Sequence, residues 1–182
     1  MRRFFLAAAL SIAAMTTHAE ALTGDSIQSM SNEKIEENLP DSHPSAYFSY
    51  AQKLFKGGMQ DLAVRWYYIG QIRYRAHLLA NPDLLANPDL LSTGDPAEFE
   101  SITRSFGPVV SEWAGGNVHA WIQSIDDALA WDASHANNFT LKKSHIPDIQ
   151  QARDELTRVR DTIRKNEAQI HAQRAAKGLP DR

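Results

Sequence analysis

The densest chemistry in the chain lies in one run, Trp66-Tyr67-Tyr68-Ile69-Gly70-Gln71-Ile72-Arg73-Tyr74-Arg75. Guanidinium groups stack on aromatic faces, and both residue types bury large areas at low entropic cost, so such a run supplies the usual anchors of a protein–protein contact. Arg65, Tyr68, Gln71 and Arg75 are the residues expected to form that contact surface. The competing reading is internal: four aromatics in one helix cannot all face water, and the arginines can pair with acids of the same chain.

The other reactive side chains assemble no catalytic signature. Asp83, Asp89 and Asp95 recur every six residues but lack the alternating oxygen ligands of a calcium loop. Asp132 and His135 have no second ligand pair nearby in sequence. His119 and Asp126 lie two helical turns apart, which suits neither a triad nor a zinc helix motif. Glu98, Glu100, Glu112 and Asp127 could supply paired acids for glycan cleavage if the fold brought two of them into one cleft. There is no Gly-x-Ser-x-Gly elbow, no phosphate-cradling glycine loop and no cysteine. The expectation is therefore no catalytic residue, no cofactor and no bound metal.

The elements that carry these residues read as helices. Tyr47, Ala51, Leu54 and Phe55 recur at helical spacing after Pro44 and stop at Gly57-Gly58. Leu62, Trp66, Ile69, Ile72, Ala76 and Leu79 form one stripe of a second helix ending before Asn81-Pro82. A tandem hexapeptide, Leu-Leu-Ala-Asn-Pro-Asp at 78–83 and again at 84–89 with a degraded third copy, reads as a loop of short helical turns. Pro96 to Phe106 predicts a short helix closed by Gly107-Pro108, with a further short piece to Trp113. Asn117 caps a strong helix, and Pro147 to Ala176 predicts one long charged helix ended by Gly178.

In that last helix Ile149, Leu156, Ile163 and Ile170 repeat every seven residues, with Ala152, Val159 and Asn166 three after the first three of them. Asp148–Arg153 and Glu155–Arg160 have the spacing that pairs across a parallel coiled coil. Two readings stand: a homodimer through residues 148–173, or a stripe docked on the protein's own bundle. No alternating β-run is present. The fold class is all-α, a compact helical bundle with repeat-like hairpin packing and a long C-terminal helix.

Residues Tyr47 to Gly70 resemble a single tetratricopeptide-type unit. Tyr47 and Ala51 fall on the first helix of the motif, Gly58 in its turn, and Ala63, Tyr67 and Gly70 on the second. Small residues are needed where two helix backbones cross closely. The second helix runs on where the motif's proline would end it, and the hexapeptide follows in place of another unit. Asp127-Ala128-Leu129-Ala130-Trp131-Asp132 with Asn137-Asn138 looks like the tail of a degenerate second unit. What the resemblance implies is helical-hairpin packing and a role in binding proteins.

The first 21 residues indicate where this would happen. Arg2 and Arg3, an apolar run from Phe4 to Met15, and Ala19-Glu20-Ala21 make the three-part pattern of a secretory signal peptide, cleaved after Ala19 or Ala21. Arg2-Arg3-Phe4-Phe5-Leu6 also holds the core of a twin-arginine signal, though Met1 replaces the usual preceding residue. Residues 22–43 read as a loosely ordered lead-in with a helical turn near Glu33–Glu37, and 44–182 as one domain. Losing Arg2, Arg3 and Glu20 takes the formal net charge from −3 to about −4, which argues against nucleic acid or an anionic membrane surface as partner. No later apolar run reaches a membrane span. The lack of cysteine points to a Gram-negative periplasm, with secretion as the alternative. The Asn138-Phe139-Thr140 sequon is then chance.

These readings converge on a non-catalytic periplasmic protein that binds another protein, for instance an immunity protein against a periplasm-targeted toxin. The alternatives are an envelope enzyme acting on peptidoglycan or another glycan through paired carboxylates, and a homodimeric structural protein.

Overall fold

The structure is a computed structural model that describes residues 22–141 and 144–182. The leader expected over 1–21 lies outside the described residues. Among the described residues there are ten α-helices, one short 3-10 turn at Leu39–Asp41 and no strand, so the protein is all-α. None of these helices is long and apolar enough to cross a membrane.

The segment expected as a loose lead-in is instead two capped helices, α1 (Gly24–Ser29) and α2 (Asn32–Asn38). Thr23 and Ser26 form a reciprocal capping box, and the Ser31 hydroxyl accepts from the Lys34 amide. Each turn buries a single side chain, Ile27, Ile35 and Leu39 being fully buried. So sparse an apolar pattern reads as polar in sequence. Lys53 then donates to the carbonyls of Ile27 and Met30, and the Tyr47 hydroxyl donates to the Leu39 carbonyl at 2.9 Å.

Those anchors come from α3 (Ser45–Lys56), which pairs with α4 (Gln60–Ala80). Between them Gly58 sits at φ +82°, where a β-carbon is strained. The Met59 amide returns to the Leu54 carbonyl at 2.9 Å and the Gly58 amide to the Phe55 carbonyl at 3.3 Å, a Schellman turn. The hairpin closes tightly at Gly70. A β-carbon there would stand 3.1 Å from the Phe48 ring and 3.2 Å from Tyr47 Cβ. The ring can shift, but Tyr47 Cβ is tied to the backbone of α3. Alanine gains about 1 kcal/mol of helix propensity, and crowding a packed crossing costs about 1–3 kcal/mol. Gly70→Ala is therefore expected to destabilise by about 1 kcal/mol in urea unfolding; a gain in stability would show that α3 yields freely.

The single stripe expected on α4 is too narrow a description. This helix is buried nearly all round, including Trp66, Tyr67, Tyr68, Gln71, Arg73 and Tyr74. Besides α3 it touches α7 (Asp95–Ala114), α8 (Val118–Ser134) and α9 (Ile146–Lys165), so it is the axis of the bundle. The hexapeptide forms two short helices, α5 (Pro82–Ala86) and α6 (Pro88–Thr93), each with its proline in the first turn.

Two expected boundaries differ. Helix α7 runs straight through Gly107-Pro108, because Phe106, Val110 and Ala114 keep one buried face across the break while Pro108 lies on the exposed side. Packing outweighs the lost amide bond there. Conversely, the expected long C-terminal helix breaks at Asn166 (φ −102°, ψ 14°) into α9 and α10 (Glu167–Ala176). Ile170 thereby meets the bundle partly buried, and Arg174 donates to the Glu112 carbonyl at 2.6 Å. Asn166 competes with its own helix for hydrogen bonds, which makes it a natural breaking point.

The heptad stripe docks within the chain. Ile149, Ala152, Leu156 and Ile163 are buried, α9 touching α4 and α8. The flanking charges also pair internally: Arg153 with Asp132 at 2.6 Å, Glu155 with Arg75 at 2.7 Å, and Arg160 with Asp126 at 2.7 Å.

Candidate functional site

Of the four residues expected to make contacts on α4, three meet at one place. Tyr68, Gln71 and Arg75 lie on one stripe of the helix and line a cavity of about 320 Å³ with Tyr67, Thr103, Gly107, Ser111, Leu156 and Val159. The walls come from α4, α7 and α9. Tyr68 and Gln71 are themselves buried, whereas Arg75 is half-buried. Arg65, one turn earlier, lies outside the cavity with its guanidinium 6.0 Å from the Trp66 ring.

Hydrogen bonds hold the cavity's polar atoms in place. Gln71 Nε2 donates to Thr103 Oγ1 at 3.3 Å, and Gln71 Oε1 accepts from Arg75 Nε and Nη2. Arg75 Nη1 donates to Glu155 at 2.7 Å. Trp121 Nε1 donates to the Tyr68 hydroxyl at 2.8 Å, and burial holds the Tyr68 phenol well above its ordinary pKa. The phenol stays neutral, so the pocket offers an aromatic floor, a fixed amide and one cation near an apolar lip at Val159, which is 40% exposed.

A second cluster combines residues that sequence spacing does not connect. His43 precedes α3, His77 lies in the last turn of α4, and Asp95 opens α7. His77 Nε2 is 2.8 Å from Asp95 Oδ2, and His43 Nε2 is 3.5 Å from Asp95 Oδ1. The far ring nitrogens face donors: the Ser45 amide reaches His43 Nδ1 at 3.2 Å, and Asn81 Nδ2 reaches His77 Nδ1 at 3.2 Å. The Asn81 amide is oriented by a 2.8 Å bond from Nδ2 to the His77 carbonyl. These donors favour the tautomer with the proton on Nε2, which both rings then aim at one carboxylate, while the Ser45 hydroxyl, 2.8 Å from His43 Nδ1, accommodates either tautomer.

Aromatic rings wall this cluster. His43 makes edge contacts with Tyr74 at 5.4 Å, His77 at 5.7 Å and Phe139 at 5.1 Å between centroids. Phe139 is brought there by Asn138, whose amide donates to the Pro40 carbonyl at 2.9 Å and whose side chain donates to Asp41 at 2.6 Å. Tyr74 donates to Glu98 Oε2 at 2.8 Å; burial, then that carboxylate, raises its phenol pKa far above the usual value. Glu98 Oε2 stands 4.0 Å from His43 Nδ1. Sequence offers one hint, the third hexapeptide copy, in which Asp95 follows Gly94 rather than proline and is turned inward. Asp83 and Asp89 are exposed on α5 and α6.

The remaining acids are dispersed. Glu98 and Glu112 stand fourteen residues apart on α7, about 21 Å along its axis, well beyond the ~5–9.5 Å of a glycosidase pair. Asp127 accepts from Gln123 at 2.9 Å on α8. Asp132 is enclosed between Arg73 and Arg153, and His135 stacks on Trp131 at 4.0 Å.

Compared with protein-family models, curated proteins and solved structures, the chain gives no match.

Proposed function

We propose that the protein acts by binding another protein, whose anchoring side chain enters the cavity between α4, α7 and α9. The observation that carries this reading is the convergence of Tyr68, Gln71 and Arg75 on one concave site. At about 320 Å³ it lies at the small end of ligand pockets, a size suited to one large side chain. A pocket that takes an aromatic or aliphatic anchor, with a cation and a fixed amide at its edge, is the usual centre of a binding surface. The leader pattern read in the sequence supports a periplasmic setting, in which an immunity protein that blocks an incoming toxin is the most concrete form of this reading.

The test is capture of a partner from periplasmic extract, with Val159→Asp as the comparison. Val159 is an exposed lip residue, so the new carboxylate obstructs an apolar anchor while leaving the fold alone. A stoichiometric partner is expected, with affinity at least tenfold lower for Val159→Asp at unchanged melting temperature. Absence of a stoichiometric partner, or equal capture by the variant, would refute the reading.

A further inference from the structure

We propose that His43, His77 and Asp95 form a binding site for a divalent transition metal, zinc in the first place. The three side chains come from three elements and offer ligand atoms that all lie within 4.8 Å of one another. A tetrahedral ion with bonds of about 2.0–2.1 Å holds neighbouring ligand atoms about 3.3 Å apart. Asp95 faces His77 Nε2 through Oδ2 at 2.8 Å and His43 Nε2 through Oδ1 at 3.5 Å, separations of that order, and a turn of the carboxylate brings one oxygen to the ion. Small side-chain rotations suffice to admit the ion.

The donor set selects the metal. Two imidazoles and one carboxylate suit zinc, cobalt, nickel or iron; calcium and magnesium prefer oxygen alone. Three protein ligands leave a fourth position for water or a partner's side chain. All three side chains are partly exposed, at 29% for His43, 11% for His77 and 29% for Asp95, so an ion has an entry route. The rings of Tyr74 and Phe139 hold the imidazoles in place from the sides, with Phe99 packed against Tyr74.

Without metal, each ring directs an Nε2 proton to Asp95, which preforms the site. Binding transfers each ring's proton from Nε2 to Nδ1, so the imidazoles stay neutral and Nε2 presents its lone pair to the ion. At His43 the moved proton is accepted by Ser45 Oγ, 2.8 Å from Nδ1, at the loss of the weaker 3.2 Å bond from the Ser45 amide. At His77 the exposed Asn81 side chain turns over to present its oxygen. Asn81 is thus a positioning residue working against the bound state, and an acceptor in its place should strengthen the site.

Purified untagged protein is titrated with Co²⁺ and the visible absorption of the bound ion is followed, with Zn²⁺ added to compete. One saturating equivalent is expected, displaced by zinc. Glutamine at either histidine retains an N–H donor to Asp95 but lacks the ligating lone pair. His43→Gln and His77→Gln should therefore keep their metal-free melting temperature while cobalt affinity falls about a hundredfold or more. Asn81→Asp should bind about tenfold more tightly, a gain that a purely structural His–Asp–His cluster would not produce. Absence of a saturating cobalt band would overturn the proposal. So would a band retained by the His43→Gln/His77→Gln double variant, which would place the ion at another histidine.

Discussion

Alkali is expected to unfold this protein steeply between about pH 10 and pH 12. All five tyrosines, Tyr47, Tyr50, Tyr67, Tyr68 and Tyr74, have phenols raised above their ordinary value, with burial the largest cause in each. Tyr50 and Tyr74 are raised further by donating to Glu36 at 2.6 Å and Glu98 at 2.8 Å. Below pH 10 both the folded and unfolded chains keep these protons, and the stabilisation is intact. Above it the unfolded chain releases protons that the folded chain retains. The native state then binds more protons, and stability falls as pH rises. Each phenol contributes a slope of up to about 1.4 kcal/mol per pH unit, so the four raised most, Tyr47, Tyr50, Tyr68 and Tyr74, approach about 6 kcal/mol per unit. Against a total stability of roughly 5–15 kcal/mol, one to two units suffice for unfolding. Tyrosinate absorbance and far-ultraviolet dichroism should change together in one sharp transition. Gradual phenol titration near pH 10 with the helices intact would show that the rings are open to water.

This dependence on buried phenols shows where sequence reading succeeds. The α3–α4 hairpin was legible because its stop signal is chemical: Gly57-Gly58 ends one helix and Asn81-Pro82 the next, within a residue or so of the observed ends. The Asn117 cap was equally legible, its side chain accepting from the Ala120 amide at 3.0 Å. Periodicity failed where tertiary contacts decide. A helix buried on every side, such as α4, has no dominant stripe, and Pro108 looks like a terminator until Phe106 and Val110 are seen to share a buried face. Asn166 shows the reverse: a continuous heptad pattern cannot reveal that α10 turns to meet Gly115 and Glu112.

The candidate sites divide in the same way. Tyr68, Gln71 and Arg75 were legible because helical spacing alone puts positions three and four apart on one face. The histidine cluster was not, since His43 and His77 lie in different elements and Asp95 belongs to a degraded repeat. Their meeting depends on the α3–α4 crossing and on the short helices α5 and α6 returning the chain. Spacing in sequence carries no trace of such a route.

The same limit applies to Asp132, whose removal should be among the most damaging single changes in the chain. Asp132 and Arg73 are each only 1% exposed, with Oδ1 and Nε 2.6 Å apart. Arg153 approaches from α9, its Nε donating to Oδ2 at 2.6 Å and its Nη2 to the Asp132 carbonyl at 2.9 Å. One carboxylate thus joins α4, α8 and α9. Arg73 also donates to the carbonyls of Ala136 and His135 at 2.6 and 3.3 Å, and its guanidinium lies 5.2 Å from the Trp131 ring.

Asp132→Ala leaves the Arg73 charge buried without its counter-ion, a loss of about 3–5 kcal/mol. That corresponds to a fall in melting temperature of roughly 10 °C or more. Arg153 is 19% exposed and can turn towards water, so Arg73 dominates the penalty. Arg73→Met combined with Asp132→Leu removes both buried charges. The carbonyls of Ala136 and His135 belong to exposed residues and can bond to solvent instead. The double variant should therefore recover most of the loss, as apolar replacement of a buried pair usually does. Urea unfolding of Arg73→Met, Asp132→Leu and their double variant, read as a thermodynamic cycle, measures the coupling. Under about 1 kcal/mol for Asp132→Ala, or simple additivity in the double, would show that water reaches Arg73.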